Sequence, residues 1–200
     1  MEPTLPTSLP GDSSSNPAYS FRPSLIGPAF HYELTEQGLS WRMGARRGLW
    51  PYEGIARIRL SFRPTSMQAR RYRADIRNAD GRMIAVISAS WQTAALLAPQ
   101  DSPYRRFMLE LHARIARAGG QPELLAGVTR PAYVTAMMAT GLVYAALAGL
   151  FVRAVFVAEV AGMLFLAGFA ALFGWKVGGA LYRNRPRRYR LDEVPRDLLP

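Results

Sequence analysis

The chain has 200 residues, no cysteine and a formal net charge of +11, carried almost entirely by arginine because Lys176 is the one lysine. That length allows one modest folded domain beside any membrane segment. The missing cysteine excludes disulfides, thiol nucleophiles and thiolate metal sites, and the charge asks for an anionic partner surface.

Residues 1–29 are rich in Pro, Ser, Thr and Gly, with Gly-Asp-Ser-Ser-Ser-Asn-Pro at the centre. Such a stretch buries too little apolar surface to offset chain entropy, so it reads as a disordered tail. It has neither the basic start nor the apolar core of a secretory signal peptide.

From Phe30 to Trp91 the pattern is short strands separated by turn signals. Phe30–Leu34 and Leu39–Met43 alternate around the turn Glu36-Gln37-Gly38, and Leu49–Tyr52 reads as a short edge strand because Pro51 offers no ladder donor. Ile55–Phe62 alternates apolar-in and polar-out, the period of a half-buried strand. Tyr72–Ile76 and Met83–Ile87 flank Asp80-Gly81, a strong hairpin signal because both turn residues tolerate positive φ.

One helix comes after the strands. Ser102 is placed to cap it and Pro103 to occupy its first position. Tyr104, Phe107, Met108, Leu111 and Ile115 share one face at spacings of three and four, and Gly119-Gly120 ends it. That face is expected to close over the open end of the strand meander, with 121–130 as a linker to the apolar stretch beyond.

Residues 131–181 are almost wholly apolar, long enough for two crossings of a bilayer core of about 30 Å. They read as a transmembrane helical hairpin. The first span covers about 131–152. The second covers about 156–178, with Ala154–Trp175 and Val160–Leu181 as its two frames, because Glu159 and Lys176 pull in opposite directions. Tyr133, Arg153, Glu159, Trp175 and Lys176 are the expected interface residues, Glu159 reaching headgroup water or Arg153 near the turn. Small residues recur every fourth position, as Gly141, Ala145 and Gly149 and as Ala170, Gly174 and Gly178. They could close the hairpin on itself or pair two protomers.

Arg114, Arg117 and Arg130 precede the hairpin, and Arg183, Arg185, Arg187, Arg188 and Arg190 come after it in a basic tail, residues 182–200. The excess of arginine outside the turn places both termini in the cytoplasm. A juxtamembrane cluster of this kind gains roughly 1 kcal/mol per charge from an anionic leaflet and also serves as a plain stop-transfer signal.

Tyr32-Glu33-Leu34-Thr35-Glu36-Gln37-Gly38-Leu39-Ser40-Trp41, the segment Trp50-Pro51-Tyr52-Glu53-Gly54-Ile55-Ala56-Arg57-Ile58 and the closing helix resemble the bacterial pleckstrin-homology-like domains of small membrane proteins. The resemblance covers about residues 30–119. It implies an α+β fold: a bent antiparallel sandwich or barrel capped at one end by a C-terminal amphipathic helix, here followed by the two-helix hairpin. It carries over no catalytic residue.

No phosphate-binding Gly-rich loop, dinucleotide fingerprint or nucleophile motif is present. His31 and His112 lie far apart and read as surface residues of a strand and a helix, so no catalytic, metal or cofactor site is expected. Arginines remain. Arg42, Arg46 and Arg47 cluster at one hairpin turn, and Arg63, Arg70, Arg71 and Arg73 at the loop after the Ile55 strand. Guanidinium forks suit phosphate, so these loops are candidates for anionic headgroups or an acidic partner, against the plain alternative of a solvated strand face. The expectation is a two-pass bacterial inner-membrane protein whose cytoplasmic domain binds or scaffolds. The first competing reading is a basic nucleic-acid-binding module tethered to the membrane, though nucleic acid is disfavoured as a partner, and the second is an accessory subunit of a membrane enzyme or transporter.

Overall fold

The computed structural model describes residues 16–63, 71–93 and 96–200. Its architecture is α+β: β-sheets and one helix form a domain from which two long apolar helices project. Residues 1–15 and the 64–70 segment, including Arg70, lie outside the described residues.

The first sheet has four antiparallel strands in sequence order, β1 (Ala18–Phe21), β2 (Phe30–Leu34), β3 (Leu39–Met43) and β4 (Arg46–Trp50). β1 lies inside the stretch expected to be a tail. Tyr19 and Phe21 alternate with exposed neighbours and are buried, and Phe21 stacks on Tyr32 with ring centroids 6.0 Å apart. Two aromatics at period two therefore suffice to recruit this segment to the core. β4 starts three residues before the expected strand, and Pro51 falls just beyond its end, at a single 3-10 turn (Tyr52–Gly54).

The second sheet is built on β5 (Ile55–Phe62), β6 (Tyr72–Asn78) and β7 (Met83–Ile87), an antiparallel meander. β8 (Ala89–Thr93) and β9 (Leu96–Pro99) form a separate ribbon. Helix α1 (Asp101–Arg117) buries Tyr104, Phe107, Met108, Leu111 and Ile115, the face expected from spacing. It begins after Gln100, two residues earlier than expected, and Ser102 is not its cap. His112 is also buried rather than on the surface, because it lies one turn from Met108 on the edge of that face.

The segment after α1 is no linker. Glu123–Ala126 is β10, which pairs in parallel with β5. The chain then enters α2 (Arg130–Phe156), turns at 157–159 and returns as α3 (Val160–Arg183). Immediately afterwards β11 (Arg187–Arg188) pairs antiparallel with β10, giving the order β11-β10-β5-β6-β7. The two helix roots are thus joined through one sheet. The expected basic tail is likewise docked: Leu198 and Leu199 are buried in the core, with Tyr189, Leu191 and Val194 packed against it. Burying a leucine side chain is worth about 1.5–3 kcal/mol, enough to hold a short terminal segment in place.

Both long helices are apolar on every side and none of their most apolar window is buried. At 1.5 Å per residue they measure about 40 and 36 Å, long enough to cross a membrane. α3 starts where the later of the two frames does and runs two residues past its end, while residue 156, the expected start of the second span, still belongs to α2. Tyr144 reaches across from α2 to donate to the Ala170 carbonyl at 3.1 Å, over the bare surface of Gly174. Side chains built at Gly141, Gly149 and Gly178 would meet no atom, so these glycines do not close the hairpin.

Candidate anion-binding face

Beyond the register shift at Ile55/Arg57, core-facing residues of β5 and β6 fall at every second position. Ile58, Leu60 and Phe62 on one strand, and Tyr72, Ala74 and Ile76 on the other, face the core. Their intervening residues must therefore share the outer face. The register sets Arg57 opposite Arg77, Arg59 opposite Asp75 and Ser61 opposite Arg73. Arg63 and Arg71 continue the ladder, with the Arg63 N–H donating to the Arg71 carbonyl at 2.7 Å. Like charges directly opposite one another on a sheet are unfavourable, and here one arginine pair lies towards each end of the ladder.

Only part of this charge is matched. Arg57 pairs with Glu123 at 2.6 Å and Arg73 with Asp75 at 2.7 Å. Among the described residues, Arg59, Arg63, Arg71 and Arg77 have no carboxylate partner. Arg59 instead donates to the Val128 carbonyl at 3.3 Å, which ties its guanidinium to the chain entering α2. Burial holds the Arg59 guanidinium below its ordinary value, and neighbouring Arg57 acts in the same direction. Arg71 is lowered too, by burial first and then by Arg73 and Arg63.

The face sits beside the helix roots. The Gly127 N–H donates to the Leu60 carbonyl at 2.7 Å, and the Val128 N–H donates to the Asn184 carbonyl at 3.1 Å. Arg183 lies over the Phe62 ring at 5.0 Å. A cleft of about 220 Å³ opens there, with Arg57, Arg59, Ser61, Arg63, Asp75, Arg77 and Thr129 among its walls.

The residues expected to bind anions are thus divided. Arg63 and Arg71 come together at the two ends of the segment that connects β5 to β6, and Arg73 lies on β6 beside them. Arg42, Arg46 and Arg47 belong to the four-stranded sheet, Arg42 directly opposite Arg47, and Arg42 and Arg47 flank a different cleft with His31 and Glu33. Arg57, Arg59 and Arg77 are not among the residues expected from sequence. Their signal is the polar half of the β5 and β6 alternation, and it becomes a patch only once the two strands are paired.

The arginines after α3 are largely engaged within the domain. Arg187 pairs with Asp197 at 2.5 Å and Arg190 with Asp192 at 3.1 Å. Arg185 lies over Tyr182 at 4.5 Å, and Arg188 is 3.8 Å from Glu123. On the hairpin, Arg153 is in the last turn of α2 and Glu159 is the cap residue of α3, and no ion pair joins them among the described residues. Tyr133 lies in the first turn of α2, while Trp175, 75% exposed, has Lys176 at 5.5 Å from its ring.

Among the described residues, no group of three His, Asp or Glu side chains could hold a metal ion. Compared with protein families, curated proteins and solved structures, the chain matches none of them.

Proposed function

With no relative to lend an activity, we propose that this chain is a two-pass membrane protein of the bacterial inner membrane, and that its domain binds anionic lipid headgroups rather than catalysing a reaction. One observation carries this reading: the unmatched Arg59, Arg63 and Arg77 line a cleft with Val128 and Thr129, at the root of one of the two helices that are long and apolar enough to cross a membrane.

The pairing of β10 with β11 supports a hairpin whose two ends lie on one side. The arginine excess at those ends supports the cytoplasmic side. On that side the leaflet carries a negative surface potential that decays within about 10 Å at 0.1 M salt. Charges fixed beside the helix roots are positioned to meet it, whereas a domain on a loose tether would sample that zone only part of the time. The resemblance of residues 30–119 to pleckstrin-homology-like domains belongs to the same reading, supported by two largely antiparallel sheets and a helix with its apolar face in their core.

Native mass spectrometry of the full chain tests it, using mixed micelles of phosphatidylglycerol and phosphatidylcholine. Retained lipid should be enriched in phosphatidylglycerol, and the combined variant Arg59→Gln, Arg63→Gln, Arg71→Gln should lose that enrichment. Equal retention of both lipids by the unmodified chain would contradict the reading.

A further inference from the structure

We propose that the cleft between β5, β6 and the start of α2 is a binding site for a phosphate monoester, with Arg59, Ser61, Arg63 and Arg77 as its ligands. This deepens the headgroup reading above and rests on it.

The second observation, beyond charge, is Ser61. It is 1% exposed, belongs to the wall of the cleft, and its hydroxyl has no hydrogen-bond partner among the described residues. A buried hydroxyl without a partner is a cost that folding normally avoids. Here it lies at the foot of the arginine layer, between Arg59 on β5 and Arg63 just past the end of that strand. An oxyanion entering the cleft would supply the missing acceptor. The site opens by rotation of the arginine side chains over it, of which Arg63 and Arg77 are exposed and free of ion pairs among the described residues.

Charge chooses the ligand. Asp75, the acidic residue in the wall, is already engaged by Arg73, and the wall residue Arg57 is paired with Glu123 outside it. That leaves Arg63 and Arg77 without an ion pair among the described residues, while Arg59 feels Glu123 and Asp75 but forms an ion pair with neither. The N-terminal end of α2 at Thr129 adds the positive end of a helix dipole. A phosphate monoester carries about −1.5 to −2 charges at neutral pH and three terminal oxygens. It can take guanidinium forks and a hydroxyl together. A diester carries one charge and offers two such oxygens, so it satisfies less of the site. The same chemistry is offered by a phosphatidate headgroup and by free phosphate.

The test uses the full chain throughout. Inorganic phosphate is titrated into the detergent-solubilised protein by calorimetry. Separately, nanodiscs containing phosphatidate or phosphatidylglycerol are compared by the lipid that the protein retains. The expected result is saturable phosphate binding and preferential retention of phosphatidate over phosphatidylglycerol. Ser61→Ala should lower both by roughly tenfold or more, the loss of a hydrogen bond to a charged group. Its thermal midpoint without phosphate should be unchanged or higher, because the deleted hydroxyl has no partner to lose.

Phosphate binding without phosphatidate preference would assign the site to the free ion, and preference without measurable phosphate binding would assign it to the lipid headgroup; either supports the monoester site. Two results overturn it. If Ser61→Ala binds as the unmodified chain does, while the triple arginine variant still loses anionic lipid, the face attracts charge diffusely and has no built site. If the unmodified chain retains no anionic lipid and binds no phosphate, the headgroup reading fails with it.

Discussion

Asn184, just past the end of α3, grips Phe62 at the end of β5 with both halves of its amide. Its Oδ1 accepts from the Phe62 N–H at 3.0 Å, and its Nδ2 donates to the Phe62 carbonyl at 2.7 Å. A side chain thus stands in for a neighbouring strand at the point where the hairpin meets the sheet. With β10 beside β5 and β11 beside β10, this clamp makes the helices a continuation of the domain.

Replacing Asn184 by leucine removes both bonds and leaves the Phe62 backbone groups without partners. Each unmade bond of this type costs about 1–3 kcal/mol. The expected outcome is a loss of roughly 2–4 kcal/mol, with faster proteolysis at the helix roots, read by denaturant unfolding of the full chain in detergent. An unchanged midpoint would show that the amide is not a structural clamp.

Gly127 is the other fixed point of this junction. Its φ is +82°, and a Cβ there would run into the backbone carbonyls of Asn184 and Arg185. Both objections apply at once, positive φ and occupied space. Gly127→Ala is therefore expected to destabilise by about 2 kcal/mol or more. Gly81→Ala serves as control: its φ is also positive, at +80°, but no atom lies within 4 Å of its added Cβ. A smaller loss at Gly81 than at Gly127, in the same unfolding assay, isolates the contribution of the occupied space.

His112 gives the fold a pH dependence. Its Nδ1–H donates to the Met108 carbonyl at 2.6 Å, so the neutral ring accepts the Tyr189 hydroxyl at Nε2, 2.9 Å away. Burial lowers its pKa from 6.5, although the Met108 bond works the other way. The unfolded chain then binds the proton more readily than the folded one. Stability is full above about pH 6.5 and falls as the pH drops below it. Glu110, held down first by its bond to Arg114, acts in the same direction but only below its ordinary value of 4.5. The unfolding midpoint of the unmodified chain should thus decline between pH 7 and pH 5, and that of His112→Gln should stay nearly level. Parallel declines would remove His112 as the cause.

Much of this fold can be read in the residues. Phe30–Leu34, Leu39–Met43, Ile55–Phe62 and Met83–Ile87 announce themselves by alternation, and the buried face of α1 by its spacing. The two long helices are legible from apolar length alone. The features that escape are non-local. Glu123–Ala126 has four residues and no alternation that marks it as a strand; it becomes one because β5 offers a free edge. Leu198 and Leu199 come after a basic, proline-containing segment, and only the open flank of α1 gives them a core to join. The arginine face is half legible. Arg63, Arg71 and Arg73 stand out around the segment that joins β5 to β6, but Arg57, Arg59 and Arg77 are spread singly along the strands and become neighbours only once those strands pair. His112 misleads for a related reason: polarity places it on the surface, whereas two hydrogen bonds offset the cost of its burial.

The most direct test of the membrane hairpin is the placement of the turn and the domain on opposite sides of a bilayer. Because the chain has no cysteine, single cysteines report without background. Val157→Cys lies in the turn, at a side chain 66% exposed, and Glu36→Cys in an exposed turn of the domain. In intact bacterial spheroplasts treated with a membrane-impermeant maleimide, a hairpin with a cytoplasmic domain predicts labelling at 157 at once and at 36 only after permeabilisation. Labelling of position 36 in intact spheroplasts, or of position 157 only after permeabilisation, would contradict it.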